Sequence, residues 1–341
     1  MTLIRSRAPL RLGLAGGGTD VSPYCDSFGG AVLNATIDRH AYATLRTLDE
    51  PVLRLVAADQ NVATEFSLEP LLPLNGELDL LKAVHNRMIE TYNGGQPIAL
   101  ELVTHCDAPA GSGLGSSSTL VVAIIRAYVE LLNLPLDDHM IAKLAFQIER
   151  VDCGLAGGRQ DQYSATFGGF NFMEFYAAER AVITPLRIKN WIICELESSI
   201  LLYSTGLSRE SAKIIKQQSE NVHGSSTALD AMHGIKNEAF QLKNCLLKGD
   251  FAGIVDSMHS GWLKKKLSSV AVSNSQIDTI FDAAIEAGAL AGKVSGAGGG
   301  GFMWFFVPSE HRMDVIRSLS NFGGQISNCY FSKYGSQAWK L

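Results

Sequence analysis

Charge is scarce in this chain. Only 18% of its 341 residues are Asp, Glu, Lys or Arg, and the formal net charge is −5. That balance argues against a generic basic surface for nucleic acid, while leaving room for a local basic pocket. Long apolar runs are also missing. The stretch Leu120–Ile125 is stopped by Arg126, far short of the ~20 residues that span a bilayer. At the start, Arg5, Arg7 and Arg11 interrupt MTLIRSRAPLRLGLAGG, so no signal-peptide core is expected there. Cys25, Cys106, Cys153, Cys194, Cys245 and Cys329 are scattered, without a CxxC pair or a Cys/His cluster. The expectation is reduced thiols and a cytoplasmic protein rather than a disulfide scaffold. The eight histidines lack HExxH spacing, which speaks against a zinc enzyme.

Glycine is plentiful and clustered, at Gly13–Gly18, Gly111–Gly115 and Gly296–Gly301. Because glycine costs backbone entropy, clusters mark places where the chain bends sharply or approaches a ligand. The middle cluster has the clearest setting. Ile98, Leu100 and Leu102 alternate as in a strand, and the loop Asp107–Thr119 follows. Leu120, Val121, Ile124, Ile125, Tyr128, Val129 and Leu132 then recur as in a buried helix, with Ser116, Ser117 and Ser118 as potential caps. A second helix is expected from Asp138 to Asp152, and strand structure over Ala31–Leu48. Helical patterns recur at Asn237–Lys248 and Ile277–Ala287. Pro185 interrupts the pattern near Thr184–Lys189, so two domains are expected, 1–185 and 186–341. Strands and helices mix without a strict βα repeat, which favours an α+β fold.

A glycine-rich turn that opens a helix presents several N–H groups and the positive end of the helix dipole, a combination suited to phosphate. Gly111, Gly113, Leu114, Gly115, Ser116, Ser117 and Ser118 are therefore candidate phosphate contacts. This loop is not a Walker A motif, since no Lys follows its last glycine, and its alternating glycines are not GxGxxG. A dinucleotide oxidoreductase is disfavoured on that ground.

Three segments, Arg7–Asp20, Pro109–Ser118 and Lys293–Phe302, resemble in order and spacing the three motifs of the GHMP kinases, the family of galactokinase and of homoserine, mevalonate and phosphomevalonate kinases. The resemblance covers essentially the whole chain. It implies an N-terminal half like domain 2 of ribosomal protein S5, a ferredoxin-like C-terminal half, ATP and Mg2+ as cofactors, and small-molecule partners without nucleic acid or membrane. It further implies that ATP phosphates rest on Pro109–Ser118, and that Gly296, Gly298, Gly299 and Gly300 form the third motif. Glu149 precedes Asp161 by twelve residues, a gap similar to that between metal ligand and catalytic Asp in galactokinase. By that resemblance Ser117 and Glu149 take magnesium, Asp161 is the base or orienting group, and Arg11 faces the acceptor oxygen. Gly18, Thr19 and Asp20 resemble the segment that holds sugar hydroxyls.

Galactokinase has Gly-Glu-His-Thr-Asp where this chain has Gly-Gly-Gly-Thr-Asp, so galactose is disfavoured. The variant resembles the branch acting on heptose 7-phosphate at its anomeric hydroxyl, which feeds nucleotide-activated heptose synthesis. Thr205-Gly-x-x-Arg209 resembles that branch too, and makes Arg209, with Lys213 beside it, a candidate contact to a remote phosphate. An L-fucose- or galactose-type kinase and a non-catalytic sugar or nucleotide sensor remain the alternatives. The run Lys264–Lys266 reads as a solvated face.

Overall fold

Two long neighbours, β1 (Leu3–Ala15) and β2 (Gly30–Thr47), form the antiparallel centre of the first sheet. The structure is a computed structural model and describes residues 1–206 and 211–341. Around this pair lie β3 (Val52–Ala57), β4 (Val62–Ser67), β5 (Leu100–Cys106), β6 (Phe170–Phe175) and β7 (Ala181–Pro185). One side of β2 serves two strands in turn: Gly30–Ala35 pairs with β6, and Ala41–Thr47 with β5. Among the described residues only β3 and β5 pair in parallel. A second, four-stranded antiparallel sheet has the order β11 (Gln325–Asn328), β8 (Ile200–Ser204), β10 (Phe302–Phe306), β9 (Ala291–Val294). The last strand, β12 (Gln337–Lys340), pairs with β1 in the first sheet. The expected division at residue 185 therefore falls between β7 and the next helix, but the C-terminus crosses back over it.

The helices of the first half are α1 (Tyr24–Phe28), α2 (Asp79–Tyr92), α3 (Ser116–Leu132), α4 (Asp138–Gln147) and α5 (Gln160–Phe167). Those of the second are α6 (Asn190–Ser199), α7 (Ser211–Gly224), α8 (Ser226–Lys248), α9 (Phe251–Ser268), α10 (Ser275–Glu286) and α11 (Arg312–Ser320). The helix expected to run to Asp152 leaves α geometry at Gln147 and finishes as a π turn, Ile148–Asp152.

Alternation along the strands of the second sheet divides two cores. Leu201, Tyr203, Met303 and Phe305 face α10 and α11. Ile200, Leu202, Trp304 and Phe306 face the other way, onto Leu10, Leu12, Leu14 and Leu33 of the first sheet. The period of two in β structure produces this split, and it explains why β10 reads as an uninterrupted apolar run. A third core joins α2, α3 and α4 to Leu45, Leu55 and Leu102. α3 is buried on nearly every side, as its continuous apolar pattern requires.

Candidate active site

The three glycine clusters converge on one cavity of about 470 Å³. Gly111, Gly113 and Gly115 all have φ between 76° and 80°, the left-handed region that glycine enters at little cost. Gly113 has a second constraint, since a Cβ there would lie 2.5 Å from the Ser295 carbonyl oxygen. The third cluster thus acts as backing for the middle one. Phe302 N–H donates to Ser112 O (2.9 Å), and Ser295 Oγ donates to Gly113 O (2.8 Å).

The serines of α3 do different things, because successive helical residues point about 100° apart. Gly115 is the N-cap and no side chain caps the helix, contrary to the capping expected of these serines. Ser116 Oγ donates to Pro109 O (3.0 Å), and Ser118 Oγ donates to Glu149 (2.6 Å). Ser117 lines the cavity.

Arg11 comes from an irregular stretch of β1, where the register with β2 shifts between Pro9 and Arg11 and again between Gly13 and Ala15. Such shifts re-aim a side chain. Its guanidinium, only 4% exposed, donates through Nε to Asp161 Oδ1 (2.7 Å) and through Nη1 to Gly113 O (2.6 Å). Asp161 lies in the first turn of α5, and its carboxyl carbon would be 3.2 Å from a Cβ at Gly115. Cation, carboxylate and glycine loop are therefore in mutual contact.

Helix α5 is fixed by Asp20. Asp20 Oδ2 accepts from the N–H groups of Arg159 (2.9 Å) and Gln160 (3.0 Å). Its Oδ1 accepts from Gln160 Nε2 (3.0 Å) and Gly18 N–H (3.2 Å). A carboxylate offers about four acceptor positions, and all four are engaged. Thr19 is likewise spent, with Oγ1 donating to Gly16 O (2.8 Å) and accepting from Ala31 N–H (3.1 Å). Both side chains, expected to hold sugar hydroxyls, tie the segment to its neighbours, Thr19 to β2 and Asp20 to the start of α5. Gly18 and part of Asp20 still border the cavity.

Glu149 sits in the π turn, a local distortion common at functional sites. Its Oε2 accepts from Ser118 and from Gln162 Nε2 (2.6 Å), while Arg150 lies 3.4 Å from Oε1. Burial pushes its pKa up, against the lowering by Arg150 and the two hydrogen bonds. Among the described residues no three His, Cys, Asp or Glu side chains gather as a metal cage. A carboxylate and a hydroxyl beside a glycine loop and a helix N-terminus suit instead a hard cation that would keep water and a ligand's oxygens as its other partners.

Lys265 corrects the reading of Lys264–Lys266 as a solvated face. It is 5% exposed, lines the cavity and donates to the Gly296 carbonyl oxygen. Burial, then Lys293 and Arg11, lower its pKa to about 7. The signal was the spacing of Ile254, Met258, Trp262 and Lys265, which puts all four on the buried side of α9. Arg209 lies outside the described residues. Lys213 is exposed on α7, whose contribution to the cavity wall is Ala212, Ile215 and Gln218.

Comparison with known proteins gives a consistent set of likenesses. The chain matches the description "GHMP kinases N terminal domain" over residues 79–169 and "GHMP kinases C terminal" over residues 242–325. It is 45% identical to D-glycero-alpha-D-manno-heptose 7-phosphate kinase of Campylobacter jejuni, over 100% of both chains. It is 25% identical to the L-fucokinase/L-fucose-1-P guanylyltransferase of Bacteroides fragilis, over 93% of this chain and 36% of that one. A crystal structure of a D-glycero-D-manno-heptose 1-phosphate kinase from Bacteroides thetaiotaomicron superposes with a TM-score of 0.85 at 43% identity, covering 99% of each chain. A mevalonate kinase structure, at 19% identity and a TM-score of 0.76 over 96% of this chain and 99% of that one, shares the fold.

Proposed function

The chain belongs to the GHMP kinases, and on that footing we propose that it transfers the γ-phosphoryl group of ATP to the anomeric hydroxyl of D-glycero-D-manno-heptose 7-phosphate, giving the 1,7-bisphosphate. The observation that carries the reading is the Arg11–Asp161 pair held against the Gly111–Ser118 loop at one cavity.

The loop N–H groups and the α3 dipole bind the triphosphate. The anomeric oxygen attacks the γ-phosphorus, the bond to the β–γ bridging oxygen breaks, and ADP leaves. The hydroxyl proton passes to the Asp161 carboxylate, which α5 and Asp20 hold in place. Arg11 stays fixed beside the reacting oxygens and stabilises their developing charge without reorganising. Glu149 and Ser117 would hold magnesium, which when bound neutralises charge on the phosphates. Gly18 borders the sugar, and Arg209 contacts its remote phosphate.

The two heptose kinases agree, by name, on a phosphorylated heptose and differ in the carbon that carries the phosphate. A coupled ADP-release assay with heptose 7-phosphate, heptose 1-phosphate, heptose, L-fucose and galactose is therefore decisive. Highest kcat/KM with heptose 7-phosphate is the expected result. Preference for an unphosphorylated hexose would overturn the substrate, and ADP release by none of them would favour a binding protein. Asp161→Asn should retain ATP binding and lose about 10²- to 10⁴-fold in kcat. Undiminished turnover would remove Asp161 from the mechanism.

A further inference from the structure

The proposed reaction gives no task to Lys265, a buried cation of the cavity lining. The cavity is lined by the glycine loop with Glu149 and Arg150, and also by Gly17, Gly18, Val21, Ile215, Gln218 and Lys265. Asp161 joins the two groups of residues: it touches Gly115, while its helix is tied through Asp20 to Gly18. Lys265 shares a recess with Arg11, Gly17, Gln160 and Gly296, so it sits where the segment Gly13–Gly18, read as the sugar-holding one, meets the reacting groups.

We propose that the Lys265 ammonium binds an anionic group of the acceptor, a phosphate ester, as a contact additional to Arg209. The inference rests on reading the site as a sugar-phosphate kinase. Lys265 approaches from α9 and is held by a neutral carbonyl, that of Gly296. The charges around it come from every element packed there: Lys293 from β9, Arg11 from β1, Glu238 from α8 and Asp20 from the loop after β1. Arg11 is committed to Asp161, and Lys293 donates to the Leu14 carbonyl oxygen (2.9 Å). Asp20 has no free acceptor position. Glu238, itself buried, has its pKa pushed up to about 7, so it compensates the cations only in part at neutral pH. Two buried cations, Arg11 and Lys265, therefore face the cavity with a third, Lys293, close behind Lys265, and the carboxylate of Asp20 is already engaged.

An ammonium removed from water is costly unless an anion joins it. A phosphate dianion entering this recess would supply the missing charge. It would also favour the protonated lysine, so binding draws a proton onto the complex near neutral pH. A hydroxyl-only sugar offers no such compensation.

The test uses the full chain and two variants, Lys265→Met and Lys265→Arg, assayed with heptose 7-phosphate and with unphosphorylated heptose. Methionine keeps the length and apolar body and removes the buried charge, so the variant should melt at or above the parent's Tm. The expected result is a drop of at least about tenfold in the preference for heptose 7-phosphate, as one charged contact is lost. Arginine should restore part of that preference, and KM for ATP should move less than about twofold, a smaller change than loss of any charged contact gives. Calorimetric titration in buffers of different ionisation enthalpy should show proton uptake with heptose 7-phosphate in the parent and less in Lys265→Met. The parent's own preference tests the substrate reading, and the variant's change in preference tests Lys265. A parent that prefers the phosphorylated sugar, with a variant that keeps the preference, overturns Lys265 alone. A raised KM for ATP with acceptor preference intact also overturns it, and assigns the lysine to the triphosphate. A parent without the preference overturns both.

Discussion

Burial disfavours the ionised form of Glu149, and its pKa is accordingly raised in the folded chain. In the pH window between the unfolded and folded values the native state binds more protons than the unfolded one. Stability contributed by this group therefore falls as pH rises through that window. Glutamine cannot ionise and can still accept from Ser118 and Gln162, so Glu149→Gln should melt at or above the parent at pH 8. A relief of about 1 kcal/mol corresponds to a few degrees. The same variant should need more magnesium for half-maximal rate, with the KM of the sugar little changed. A lowered Tm, or a magnesium titration that overlays the parent, would refute the respective half of this prediction. In the parent, magnesium demand should rise on the acid side earlier than an ordinary carboxylate would cause. Residues of this kind were unevenly legible. Arg11, Glu149 and Asp161 were found through motif spacing, and they do meet at one cavity. Thr19 and Asp20 stand beside them in the first motif, yet composition cannot reveal that the Asp20 carboxylate accepts from Gly18 and from Arg159 and Gln160 of a distant segment. Lys265 was hidden by its neighbours, because three lysines in a row look solvated unless helical phase is followed along α9.

At the scale of elements, the loop 111–115 and the third cluster form one unit, since the carbonyls and N–H groups of one complete the other. Gly113→Ala should separate the two demands on that glycine. A Cβ at positive φ costs about 1–2 kcal/mol by itself. Gly323 supplies the control, with φ 73° and nothing within 4 Å of an added Cβ. Gly323→Ala should therefore lose about 1–2 kcal/mol of stability and leave KM for ATP unchanged. Gly113→Ala must also displace the Ser295 carbonyl, so it should lose more stability and raise KM for ATP. Equal effects of the two substitutions on KM would show that the third cluster does not shape the phosphate loop. Glycine made these loops visible in the sequence because positive φ selects for it. The serine caps failed as a reading because three adjacent hydroxyls on a helix cannot share one direction. The π turn after Gln147 left no trace in the apolar periodicity, which continues through Ile148 and Val151.

The whole molecule is divided less cleanly than its motifs suggest. β12 is four residues long, and its return to β1 depends on a pairing of Ile4 with Lys340 that no local pattern encodes. One core also runs across the expected boundary, from Leu10, Leu12 and Leu33 to Ile192, Leu242 and Trp304. Domains joined by a large apolar interface lose independence, whereas small polar interfaces leave them separate. The two halves should therefore unfold together. Of the four tryptophans only Trp339 lies on the first sheet. In a Trp339→Phe parent the fluorescence, dominated by buried Trp262 and Trp304, therefore reports on the second half, while far-UV circular dichroism reports on the helices of both. Urea unfolding followed by the two signals should give superimposable curves. Removal of residues 337–341 provides the sharper version, because it strips β12 from the first sheet and touches neither of those tryptophans. If the halves are coupled, the fluorescence midpoint of the truncated chain should fall by as much as the dichroism midpoint. A fluorescence midpoint that stays at the parent's value while dichroism falls would show two separate units. The contacts of Ser295 with Gly113 and Arg11, which join the third glycine cluster to the loop of the first half, would then have to form between bodies that fold independently.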